Sequence, residues 1–111
     1  MHITLRYYED CPHWELARDR LESVLDELGR ADVTLRLEPV TTEERAEAIG
    51  LRGSPTVLVD GHDPFEDPDA PLGPSCRRYQ TEDGIEAAPS TAQLRAAIAS
   101  RDRHTSKGDR Q

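Results

Sequence analysis

The chain has 111 residues, 35% of them apolar, which is enough for one modest core and not for two. Its 22 acidic and 14 basic residues leave a net charge of −8, so nucleic acid and anionic membrane surfaces are not expected partners. No basic-then-apolar leader opens the chain and no apolar run approaches the roughly 20 residues that span a bilayer, so the expected location is the cytoplasm, where its two cysteines would be kept reduced.

His2 to Tyr8 alternates, with Ile3, Leu5 and Tyr7 on one side and Thr4, Arg6 and Tyr8 on the other, which predicts a strand. Pro12 suits the first position of a helix. From there Leu16, Ala17, Leu21, Val24, Leu25 and Leu28 recur at three- and four-residue steps, which predicts one buried stripe closed by Gly29. Val33 to Val40 reads as a second strand, with Arg36 and Glu38 on one face suiting an edge and Pro39 ending it. Thr41-Thr42-Glu43-Glu44 has the form of a capping box with Thr41 as cap, opening a short helix over Ala46, Ala48 and Ile49.

Val57-Leu58-Val59 is a continuous apolar run, as expected of a central strand buried on both faces, with Pro55 at its start. His62 to Ser75 carries prolines at 64, 68, 71 and 74 without periodicity and predicts an extended loop. Cys76 to Thr81 is a short polar strand candidate, followed by a turn at Glu82-Asp83-Gly84. Ser90-Thr91-Ala92-Gln93 predicts the start of a last helix with Leu94, Ala97 and Ile98 inward. Residues 1–100 form the expected domain, and 101–111, which lack any apolar residue, a disordered tail.

The order β-α-β-α-β-β-α predicts an α/β fold with a four-stranded mixed sheet and helices on both faces. The third strand is expected parallel to the first and the fourth antiparallel to the third. The first and last helices would cover one face and the short helix the other.

A cysteine at a strand-to-helix junction is where a working thiol would sit, and Cys11 holds that place. The partial charge of a helix N-terminus and a protonated His13 would stabilise its thiolate, while Glu9 and Asp10 oppose it. The position that would complete C-x-x-C is Trp14, so two-cysteine chemistry within the motif is excluded. Cys76, at the far end of a five-residue strand, is expected roughly 17 Å from Cys11 at about 3.3 Å per residue. That is too far for a bridge, and Cys76 reads as a buried, inert thiol unless the long loop before it folds back to give it a resolving role. The four histidines have no ligand spacing and no metal site is expected. No phosphate loop, Ser/His/Asp set or nucleotide fingerprint is present.

Three features together resemble the thioredoxin-like superfamily: the element order, Cys11-Pro12-His13 after the first strand, and Ser54-Pro55-Thr56-Val57 before the third. The resemblance spans roughly residues 2 to 100. It is similar in particular to small bacterial proteins with a single motif cysteine, some of which carry alkylmercury-lyase-type labels. The resemblance implies that Pro55 is cis and lies beside the thiol, and that Cys11, His13 and Pro55 form the catalytic group. It also implies that Ser54 and Thr56, at an open backbone edge, and Trp14, a flat apolar surface, hold a small thiol or disulfide or an extended peptide. The expected activity is monothiol exchange through Cys11, resolved by an external thiol such as glutathione acting as co-substrate, with no resident cofactor. Two other readings are a non-catalytic binding module and thiol-based handling of heavy metals or organomercurials by Cys11 and Cys76.

Overall fold

The computed structural model describes residues 1–30, 32–67, 70 and 72–109, with only the backbone described at 74, 75 and 102–109. The strands are β1 (His2–Tyr8), β2 (Thr34–Val40), β3 (Arg52–Ser54), β4 (Thr56–Val59), β5 (Gly73–Cys76), β6 (Tyr79–Thr81) and β7 (Gly84–Glu86). The helices are α1 (Trp14–Leu28), α2 (Glu43–Ala48) and α3 (Thr91–Asp109). Pro68, Asp69 and Pro71 of the expected loop, and 110–111 of the expected tail, lie outside the described residues.

The fold is α/β, built on a mixed three-stranded sheet in the order β2-β1-β4. β1 is its centre, and Ile3 and Leu5 are fully buried. Apolar rows cross the sheet because the registers align them: Leu35, Ile3 and Val59 in one row, Leu37, Leu5 and Val57 in the next. α1 and α3 close over these rows, contributing Ala17, Leu21, Val24, Leu94 and Ile98 to one core. Burial of each large aliphatic chain there contributes about 1.5–3 kcal/mol over leaving it in water. Leu37, on the edge strand β2, stays 41% exposed.

β4 runs antiparallel to β1, with Arg6 opposite Thr56 and Ile3 opposite Val59, and this corrects the expected parallel pairing. The connection explains it. β2 ends at Val40 beside Tyr8, and α2 is only six residues long, about 9 Å of helix. A helix that short does not carry the chain back along a seven-residue strand, roughly 23 Å long, so the chain re-enters from the end it left. β4 is also an edge of this sheet, and its Leu58 is only half-buried. Val40, Ala46 and Leu51 form a second, smaller cluster with Tyr8 and Ile49 on the Tyr8 side of β1.

The fourth strand of the expected sheet is replaced by two separate pairings. β5 lies parallel to β3, and Tyr79 to Thr81 becomes β6, paired antiparallel with β7. Arg77 and Arg78 separate the two. The cap of α2 is Thr42 rather than Thr41, its hydroxyl accepting from the Arg45 N–H at 3.1 Å. The box before α3 is reciprocal, with Ser90 and Gln93 each bonding the other's backbone N–H at 3.1 and 3.0 Å. α3 carries helical backbone on to Asp109, into the stretch expected as a tail. No helix among the described residues is long and apolar enough to cross a membrane.

Candidate functional site

α1 does not begin at Pro12. Its first residue is Trp14, with His13 before it at φ −110, ψ 3 and making no side-chain cap bond. Cys11 therefore sits in the turn between β1 and α1. Its N–H donates to the Tyr8 carbonyl at 2.9 Å, and proline at the next position has no N–H to extend the turn into a helix. This turn points the side chain inward: Cys11 is 5% exposed and its thiol donates to the Ser54 carbonyl at 3.6 Å. The Tyr8 N–H in turn donates to the Ser54 hydroxyl at 2.8 Å, so Ser54 is tied both to the end of β1 and to the turn that follows it.

The Ser54–Pro55 peptide is cis, and the segment around it is buried and fully engaged. The Ser54 carbonyl accepts a second donor, the Arg77 N–H, at 2.9 Å. The Pro55 carbonyl accepts from the Tyr79 hydroxyl at 2.5 Å. The Thr56 hydroxyl donates to the Gly53 carbonyl at 2.8 Å and accepts from the Arg77 guanidinium at 3.2 Å. The backbone edge expected to receive a peptide or glutathione is filled by β5 of the same chain. Ser54 and Thr56, expected as binding residues, hold the protein to itself.

The same strand pairing brings the second sulfur in. Ser54 is the register partner of Cys76, and Ser54 is also the residue that the Cys11 thiol contacts. The two cysteines are free thiols, Cys11 buried and Cys76, expected as a buried thiol, exposed, and they lie near enough for Cys11 to act on the Cys76 thiol. The separation expected from the sequence assumed one strand from Cys76 to Thr81, extending away from the site. Cys76 is instead the last residue of β5, laid directly alongside Ser54. Partial desolvation pushes the Cys76 thiol above its ordinary value; the neighbouring Cys11 acts in the same direction, and Arg78 acts against them.

Of the other expected site residues, His13 is exposed. Trp14 is not an open platform: its ring stacks on Tyr7, centroids 4.0 Å apart at 12°, and the Arg18 guanidinium lies 5.1 Å from its centroid. A cavity of about 710 Å³ lined by Val59, Phe65, Ala97 and Arg101 opens at the other end of β4, roughly 10 Å along the strand from Thr56. Neither sulfur lines it. Among the described residues no group of three or more His, Cys, Asp or Glu comes together as a metal ligand set.

Comparisons with protein-family models, curated proteins and solved structures return no match.

Arg77 and Tyr79 are the site residues that sequence reading missed. Tyr79 is the only large apolar residue of the Cys76 to Thr81 segment, but nothing in the sequence marks its hydroxyl as a donor to Pro55. Burial pushes that phenol well above its ordinary range, which keeps its proton in place for the bond. Arg77 is one of two adjacent arginines, and no local pattern separates the buried one from its exposed neighbour.

Proposed function

We propose that this chain is a thioredoxin-like thiol–disulfide exchange protein whose working pair is Cys11 and Cys76. The observation that carries the reading is the placement of one buried and one exposed thiol beside the same residue, Ser54. It replaces the monothiol scheme expected from Trp14, because the resolving sulfur comes from β5 instead of from the motif.

Access sets the order of events. Cys76, the exposed sulfur, loses its proton to solvent and attacks a substrate disulfide, forming a mixed disulfide and releasing the first thiolate. The Cys11 sulfur then gives up its proton and attacks the Cys76 sulfur, forming the intramolecular disulfide and expelling the second thiolate. The substrate gains two electrons and the cysteine pair loses them, and the two protons end on the released thiols. With β5 filling the edge at Ser54, recognition falls to small disulfides or exposed mixed disulfides rather than to an added peptide strand. A second reading rests on the same placement: two thiolates ligate a soft, thiophilic metal ion.

Glutathione disulfide and two single variants test the proposal. The wild type should lose both free thiols and end without an adduct, Cys11→Ser should retain one glutathione on Cys76, and Cys76→Ser should react more slowly. A wild-type adduct that persists beside a free second thiol contradicts paired chemistry. A stoichiometric thiophilic ion held against competing glutathione, with no disulfide formed, favours the second reading.

A further inference from the structure

Directly after Cys76 in the chain stands a buried cation. The Arg77 side chain is 8% exposed, in a chain of net charge −8, and an arginine so buried is kept only when its donors are matched. Its Nη1 donates to Asp63 Oδ2 at 2.7 Å and to the Thr56 hydroxyl at 3.2 Å. Its Nη2 donates to the Phe65 carbonyl, and its guanidinium lies 4.7 Å from the centre of the Tyr79 ring. Tyr79 meets Phe65 edge-on at 5.6 Å and donates to the Pro55 carbonyl. The backbone of Arg77 is fixed as well, its N–H bonded to the Ser54 carbonyl that also takes the Cys11 thiol. A side chain at Gly53 would place its Cβ 2.8 Å from the Cβ of Arg77, so the glycine is what lets this residue pack so closely.

These contacts join three segments: the turn through Pro55, the loop at Asp63 to Phe65, and the chain that leaves Cys76. Arg77 is the residue directly after Cys76, and β5 is only four residues long. A strand that short, at a sheet edge and pairing with only β3, has little of its own to fix where its last residue sits. We propose that Arg77 is the positioning residue of the cysteine pair, anchoring the end of β5 so that the Cys76 sulfur is held against Cys11. This rests on the reading of Cys11 and Cys76 as a working pair. Its chemical content is effective concentration: the closer and stiffer the pair, the more strongly intramolecular disulfide formation outcompetes the mixed disulfide with an external thiol.

The test uses two readouts on the full chain. Dibromobimane, which fluoresces on bridging two neighbouring thiols, reports the proximity of the pair whether or not the pair is redox-active. Equilibration with reduced and oxidised glutathione reports its potential. Arg77→Gln should lower both the bridging rate and the equilibrium constant for the intramolecular disulfide at least tenfold, which is about 30 mV for this two-electron couple. Arg77→Lys, which keeps the charge but loses the fork, should fall between Gln and wild type. Asp63→Asn should move in the same direction and decides the matter if Arg77→Gln fails to fold, as judged by circular dichroism. Arg95→Gln, at a surface pair with Glu27, is the control and should change neither readout. Folded Arg77→Gln and Asp63→Asn proteins that bridge within twofold of wild type overturn the positioning role. A wild type that bridges with dibromobimane but forms no disulfide with glutathione defeats the exchange reading, and the bridging series still decides the role of Arg77.

Discussion

Oxidising the cysteine pair should stabilise the fold, and by an amount that the chain itself sets. Cys11 and Cys76 close a loop of about 65 residues, for which the chain-entropy relation gives about 4 kcal/mol at 25 °C. That figure is a ceiling, since any distortion needed to form the bond subtracts from it. Both cysteines already lie beside Ser54 in the reduced protein, Cys11 through its thiol and Cys76 as its register partner, so most of the entropic gain should survive. Urea titrations of the protein prepared fully reduced and fully oxidised should differ by about 2–4 kcal/mol. Thermal midpoints should differ by roughly 10 °C for a chain of this size. The urea slope should fall on oxidation, because a cross-linked unfolded chain exposes less surface. If the oxidised form is no more stable than the reduced form, or less stable, the sulfurs meet only after the backbone has moved, and the reasoning from their placement fails.

Three further outcomes follow from the same geometry. Alkylation of Cys76 should rise with pH later than that of an ordinary cysteine, because desolvation and the neighbouring Cys11 raise its pKa; Cys11→Ser should move the profile to lower pH and Arg78→Gln to higher pH, and a profile unmoved by Cys11→Ser contradicts the placement. Because this thiol keeps its proton longer folded than unfolded, its contribution to stability is complete below the ordinary cysteine range and is lost as pH rises through the raised value, which denaturant midpoints taken across alkaline pH will show. Tyr79→Phe leaves the buried Pro55 carbonyl without its donor and should cost about 1–3 kcal/mol in urea unfolding; a neutral effect would mean that the bond contributes nothing. Gly53→Ala combines a φ of +99° with a 2.8 Å approach to Arg77 and should destabilise by about 1–3 kcal/mol while slowing dibromobimane bridging, whereas Gly50→Ala, at φ +73° with nothing within 4 Å, should leave bridging unchanged.

Local periodicity carried the parts of the fold that local periodicity controls. The alternation of Ile3, Leu5 and Tyr7 marks β1, and the spacing of Ala17, Leu21 and Val24 marks the buried face of α1. Leu16, read as part of that stripe, is 38% exposed, because it lies about 100° round the helix from the mean direction of Ala17, Leu21 and Val24. The direction of β4 was readable in principle, from the shortness of α2, but an apolar run such as Val57-Leu58-Val59 signals burial and says nothing of direction. β5 had no local signal at all. Gly73-Pro74-Ser75-Cys76 is polar and non-alternating, and it is a strand because its neighbours bond it to Leu51 and Ser54: the Gly73 N–H donates to the Leu51 carbonyl at 2.8 Å, and Arg77 to Ser54.

The candidate site divides along the same line. Cys11 and Pro55 were recognisable from their motifs, and the two lie together through Ser54. What the motifs could not reveal is that the neighbourhood of Ser54 is closed from within. An arginine next to a cysteine reads as surface in any composition-based view, and only the tertiary arrangement of Asp63, Thr56, Phe65 and Tyr79 makes Arg77 an interior residue. Trp14 remains informative in a different way. It bars a resolving thiol from the helix, so a resolving sulfur within this chain would have to be Cys76.

The most direct measurement of that partnership is a peptide map of the wild-type protein after brief exposure to glutathione disulfide, digested without reductant. The account predicts a single linked species in which the peptide carrying Cys11 is joined to the peptide carrying Cys76, released by dithiothreitol and re-formed on a second cycle. Recovery of the two peptides separately, each free or each carrying glutathione, would contradict it.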